Sequence, residues 1–144
     1  MDQIDGIVIH VTSEPRYFCV ATAAAEAAAV ACDLGPAAAS QIKLAVTEAL
    51  ANVMNHGYKG RTDRPIRITL APARDHDRAG LSIVIEDECT GVDLARIQGR
   101  PLDDVRPGGL GVHIIRKTMD LVEYRKRSNG EGISLRMVKY AKVG

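Results

Sequence analysis

Residues 36–58 read PAAASQIKLAVTEALANVMNHGY, and both the fold and the chemistry turn on this stretch. Pro36, directly after Gly35, suits the first position of a helix, and Gly57 supplies a stop near His56. At about 100° per residue, Ile42, Val46, Ala49, Leu50 and Val53 line up as an apolar stripe roughly 100° wide. Glu48, Asn52 and Asn55 share a separate arc of roughly 60°. A carboxylate and two amides therefore run along one edge of a helix whose neighbouring face is buried. Two uses fit that pattern. One is a solvated polar face; the other is a partly enclosed site, where an amide oxygen ligates a hard cation and a carboxylate accepts a proton. This helix alone leaves both open.

Working outward, Ile4 to Val11 is rich in β-branched residues and reads as a strand. Ser13-Glu14-Pro15 offers a helix start, with Ser or Thr as the cap, and the Ala-rich run from Tyr17 to Cys32 should be helical. After the central helix, Ile66 to Leu70 alternates as a half-buried strand, Ala71 to Gly80 reads as a connecting loop, and Leu81 to Ile85 as the next strand. Gly91 to Gly109 reads as a loop with at most a short helix at Leu94–Ile97. A helix is expected from Leu110 to Asp120, then strands Leu121–Lys126 and Ile133–Val138 joined by an Asn129-Gly130 turn. The order β-α-α-β-β-loop-α-β-β implies one α+β domain over residues 1–144: a two-layer sandwich with a mixed, mainly antiparallel sheet and helices on one face. Helices and strands do not alternate as a βαβ dinucleotide fold requires.

Composition narrows the function. A formal charge of +1 gives no basic surplus to attract nucleic acid, and 3% aromatic residues leave little for base-stacking platforms. Three widely spaced cysteines without a CxxC pair fit reduced thiols better than a disulfide frame. MDQIDG lacks the pattern of a signal peptide, and the run Val20–Ala31 is too short to span a bilayer and contains Glu26. The expectation is a soluble cytoplasmic protein without direct nucleic-acid or membrane contact.

Two further stretches carry possible chemistry. In IVIEDECTGVD (Ile83–Asp93) a strand runs out into Asp87, with Gly91 four residues on, where a ligand can approach the backbone closely. In RPGGLGVHII (Arg106–Ile115) glycines stand at a helix start, where free N–H groups and the helix dipole favour an anion. It is not a P-loop, because no Gly-Lys-Ser/Thr follows.

Taken in order, Glu48-x-x-x-Asn52-x-x-x-His56-Gly57-Tyr58, Asp87-x-x-x-Gly91 and Gly109-Leu110-Gly111 resemble the N, G1 and G2 boxes of the GHKL ATPases. The wording around Glu48 and the ending at Met119-Asp120 resemble a narrower branch, the bacterial anti-sigma factor serine/threonine-protein kinases. The resemblance runs from about Ile7 to Val138 and implies a Bergerat-type, histidine kinase-like ATPase fold that binds ATP and Mg²⁺. It implies Asn52 as the Mg²⁺ ligand, Asp87 as acceptor for the adenine amino group, and Gly91 as the point where backbone passes the base. It further implies phosphate contacts from Gly109, Leu110 and Gly111, with Gly108, Val92, Val112 and Asn55 as additional ATP contacts. Residues 92–108 would form a lid whose Arg100 or Arg106 stabilises the transferring phosphoryl group. Glu48 would be the general base for a partner's serine hydroxyl, and His56 a structural residue at the helix end.

The function so implied is partner switching: a serine kinase binds a sigma factor or other output protein, releases it to a STAS-domain anti-sigma factor antagonist, and phosphorylates that antagonist on serine. A homodimer is part of the resemblance. The alternative is a non-catalytic binding module whose shape depends on nucleotide. Two departures bear on it: Cys89 stands where the family has the first glycine of D-x-G-x-G, expected to reshape the base pocket, and Gly132-Ile133 stands in place of Gly-Thr. In addition, the first helix has no Arg after Arg16 with which to grip a sigma factor, and the lid is short.

Overall fold

A computed structural model describes residues 5–90, 109–127 and 131–142. The chain begins with β1 (Ile7–Thr12), passes a 3-10 turn at Pro15–Tyr17, and forms α1 (Phe18–Ala31) and α2 (Pro36–Asn52). β2 (Pro65–Asp75) and β3 (Arg78–Asp87) follow, then α3 (Gly109–Thr118), β4 (Leu121–Lys126) and β5 (Ile133–Tyr140). The α+β class and the element order are those the sequence implies.

The strands form one five-stranded sheet in the order β1-β2-β3-β5-β4, and among the described residues every pairing is antiparallel. The sheet is therefore not mixed, contrary to expectation. β3 and β4 do run in the same direction across α3, but β5 folds back between them and keeps parallel strands from being neighbours.

Alternate residues of the sheet point to the helices. Ile66, Ile68 and Leu70 of β2, Leu81, Ile83 and Ile85 of β3, and Leu135 and Met137 of β5 are all buried there. Each such side chain stabilises the fold by about 1.5–3 kcal/mol. Ala21, Ala25, Ala28 and Ala29 of α1 join Ile42, Ala45, Val46 and Ala49 of α2 in the same core. With so few aromatics available, aliphatic and alanine packing fills the space between the layers. The predicted stripe on α2 is the buried one, with Val53 partly buried against it.

Beyond small shifts at element ends, local readings differ from the structure in three places. The β2–β3 hairpin is longer than expected: pairing continues to Asp75↔Arg78, leaving only His76 and Asp77 as the turn, with His76 at φ 54°. Ser13 does not cap a helix. Its buried hydroxyl donates to the Arg61 carbonyl at 2.5 Å and accepts from the Arg64 N–H at 3.1 Å, pinning the end of β1 to the loop before β2. Finally, α2 stops at Asn52 and passes into a π turn over Val53–Gly57.

α3 is fixed at its C-terminal end. The Lys139 ammonium donates to the Thr118 carbonyl at 2.6 Å, and the Tyr140 N–H donates to Asp120 Oδ2 at 2.8 Å. Its N-terminal end is left to face α2. No helix among the described residues is long and apolar enough to cross a membrane.

Candidate nucleotide site

Glu48 and Asn52 lie one turn apart near the end of α2, both half-buried. α3 starts against them. A Cβ on Gly111 would stand 3.2 Å from Glu48 Oε2, 3.2 Å from Asn52 Oδ1 and 3.3 Å from Asn52 Nδ2. A side chain there would crowd these polar atoms, so glycine lets the first turn of α3 bring N–H groups that have no partner within the helix beside a carboxylate and an amide. Gly109 and Leu110 belong to that turn by their backbone, and Val112 follows half-buried.

Asn55 lies in the π turn rather than in α2. The π turn departs from the 3.6-residue repeat immediately after Asn52, and Asn55 is exposed. His56, expected as a structural residue at the helix end, lies in the same turn; it is exposed, and its side chain makes no hydrogen bond to a described residue. The i→i+5 bond from the Tyr58 N–H to the Val53 carbonyl, at 2.7 Å, closes the turn.

What the π turn positions is Tyr58. Its buried hydroxyl donates to the Pro65 carbonyl at 2.5 Å and accepts from the Glu88 N–H at 2.7 Å. One side chain thus ties the end of α2 to the start of β2 and to the exit of β3. Burial pushes this hydroxyl up to about 12, although the Glu88 N–H pulls the other way. Tyr58→Phe should leave a part-buried carbonyl and a part-buried N–H without partners, costing about 1–3 kcal/mol. Equilibrium denaturation measures this, and a loss below about 0.5 kcal/mol would contradict the assigned role.

At the exit of β3, Asp87 is 5% exposed and faces the helix layer. Its Oδ1 accepts from the Cys89 N–H at 3.1 Å, the Ile133 N–H at 3.1 Å and the Cys89 thiol. No described donor reaches Oδ2. Arg127 closes the outside of this corner, donating to the Asp87 carbonyl at 3.3 Å and lying 3.6 Å from Glu86. Cys89 is itself buried, and a Cβ on Gly57 would come within 3.1 Å of its sulfur, so the π turn and Asp87 are in contact through it. Burial first, and then the bond to Asp87, push the thiol up to about 12, which keeps it protonated and a donor at neutral pH.

Both departures from the family motif are thus bonded to Asp87. Cys89 does not have positive φ, so its side chain brings no backbone strain. The Ile133 backbone N–H reaches the carboxylate whatever side chain that residue carries. Tyr58 is a functional candidate that sequence reasoning passed over, and Cys89 one that it read only as a departure from the motif. Tyr58 was visible only as the last letter of a motif, and the partner of Cys89 is two residues away in a turn that no periodicity reports.

Several expected contacts fall outside the described residues: Gly91, Val92, Arg100, Arg106 and Gly108, the lid at 92–108, the short helix at 94–97, and the Asn129-Gly130 turn. Among the described residues, no group of three or more His, Cys, Asp or Glu is arranged to hold a metal ion. Asn52 Oδ1, uncovered beside Gly111, is a hard oxygen donor of the kind Mg²⁺ accepts when substrate phosphates and water complete its shell.

An α+β sandwich with a helix N-terminus set against a Glu/Asn pair, and a buried carboxylate at the mouth of the sheet, has the architecture of an ATPase domain. Residues 11–139 match the model of the histidine kinase-like ATPase domain, and the chain belongs to that family. Among curated proteins it is similar to the serine-protein kinase RsbW of Oceanobacillus iheyensis, at 29% identity over 97% of this chain and 89% of that protein. The RsbW of Listeria monocytogenes is also 29% identical, over 94% of this chain and 87% of its own length. That of Halalkalibacterium halodurans reaches 34% over 69% of this chain and 60% of that protein.

Proposed function

We propose that this chain is an ATP-dependent serine-protein kinase that acts as an anti-sigma regulatory factor, phosphorylating a STAS-domain antagonist on serine. The observation that carries the reading is the packing of Gly111 against Glu48 and Asn52. It gathers three functions at one point: helix N–H groups for phosphate oxygens, an amide oxygen for a metal, and a carboxylate for an incoming hydroxyl. The names of the relatives support the same chemistry.

In this reading the phosphates of ATP lie at the start of α3 and the base lies toward Asp87, whose Oδ2 accepts from the adenine amino group. Asn52 would hold Mg²⁺ through its amide oxygen, and the ion would supply positive charge to offset that of the phosphoryl oxygens. Glu48 orients the acceptor serine and takes its proton as the oxygen attacks the γ-phosphorus and the bond to ADP breaks. Since the fold supplies no covalent step of its own, positioning and electrostatics carry the rate. A cytoplasmic homodimer that also holds a sigma factor or another output protein completes the proposal.

The test is incubation of the full chain with γ-labelled Mg-ATP and a cognate STAS-domain protein. Label on a serine of the STAS protein is the expected result. Tight ATP binding with no transfer to any antagonist would replace this reading with a non-catalytic, nucleotide-dependent binding module.

A further inference from the structure

We propose that the Cys89 thiol is a positioning residue for nucleobase selection, holding Asp87 so that a single carboxylate oxygen is presented to the ligand. The inference rests on the reading of Asp87 as the base-facing carboxylate and adds a role for a residue that replaces the family's glycine. Three donors converge on Oδ1: the N–H groups of Cys89 and Ile133 and the Cys89 S–H. A carboxylate rotates about its Cβ–Cγ bond unless its oxygens are held differently. Loading all three donors onto Oδ1 fixes that torsion and leaves Oδ2 with no described partner.

An oxygen so left is an acceptor of fixed direction in a site where Asp87 is 5% exposed. A ligand amino group satisfies it, whereas a ligand that brings no donor leaves it unpaired at full desolvation cost. Glycine at position 89 would keep the backbone donor but supply no third bond. The sulfur also packs on Gly57, so it is braced from the π turn side. Selection for the 6-amino group of adenine therefore rests partly on a side chain that never touches the base.

The experiment compares Kd for ATP and for purine riboside triphosphate, which lacks the 6-amino group, in wild-type chain, Cys89→Ala and Cys89→Ser, with melting curves as the folding control. The wild type should prefer ATP. Cys89→Ala should lower that preference by about three- to tenfold while changing affinity for the analogue less than about twofold. Cys89→Ser retains a hydroxyl donor and should keep the preference within about twofold of wild type. An unchanged preference in Cys89→Ala, or equal losses in the Ala and Ser variants, overturns the inference while leaving the ATP site in place. A wild type that binds both nucleotides equally overturns the base-facing reading of Asp87 itself, and the inference with it.

Discussion

Glu48→Gln should reduce phosphotransfer to the proposed STAS-domain substrate by about 10²–10⁴ in kcat while leaving ATP affinity within about threefold. In free energy that loss is about 3–5 kcal/mol of barrier. Gln has nearly the volume of Glu, so the contact with Gly111 survives and the start of α3 stays where it is. What disappears is the ability to accept a proton from the serine hydroxyl. Asn52→Ala should behave in the opposite way, because it removes the oxygen donor proposed for Mg²⁺ and so would weaken Mg-ATP binding itself. Separating the two requires ATP titrations alongside single-turnover transfer at saturating nucleotide. If Glu48→Gln transfers phosphate within tenfold of wild type, then Glu48 is not the base, and its place beside Gly111 serves packing or nucleotide orientation alone.

The difference between these two variants also marks how far the sequence could be read. Alanine propensity, the Gly35-Pro36 boundary and the apolar stripe made the two long helices legible, and that stripe placed Glu48 and Asn52 on the rim of the core. The same arithmetic did not foresee the π turn, because it assumed that one helical period ran through to His56. The Tyr58 hydroxyl at the end of that turn bonds to Pro65, seven residues on, and to Glu88, thirty residues on, pairings that no helical period reports. Ala71-Pro72-Ala73 hid the length of the β2–β3 hairpin for a related reason. Among the described residues β1 pairs with β2 only as far as Leu70, so beyond that point they leave β2 as an edge, where proline is tolerated. Ser13 shows a third kind of limit: its position before Pro15 looked like a cap, but long-range partners at Arg61 and Arg64 claimed its hydroxyl.

Gly132→Ala is expected to be the most damaging small substitution near the site. Gly132 has φ +127°, which side-chain-bearing residues rarely adopt at a cost of about 1–3 kcal/mol. Its added methyl would also overlap the Asp87 carbonyl and lie 3.0 Å from Arg127 Cδ. The Arg127 stem can give way, but the Asp87 backbone cannot. Relief has to come from β5 moving away from β3, and the next residue along is Ile133, whose N–H holds Asp87 Oδ1. The variant should therefore lose at least about 3 kcal/mol of stability and weaken ATP binding together. Gly35→Ala is the control, since Gly35 has φ +87° but nothing within 4 Å of an added Cβ. It carries the conformational penalty without the collision, so the difference between the two melting temperatures isolates the contact with Asp87. A Gly132→Ala melting point within about 2 °C of Gly35→Ala would show that β5 can shift freely. In that case the Ile133 N–H would not be a fixed donor, and the carboxylate at the mouth of the sheet would be held from the Cys89 side alone.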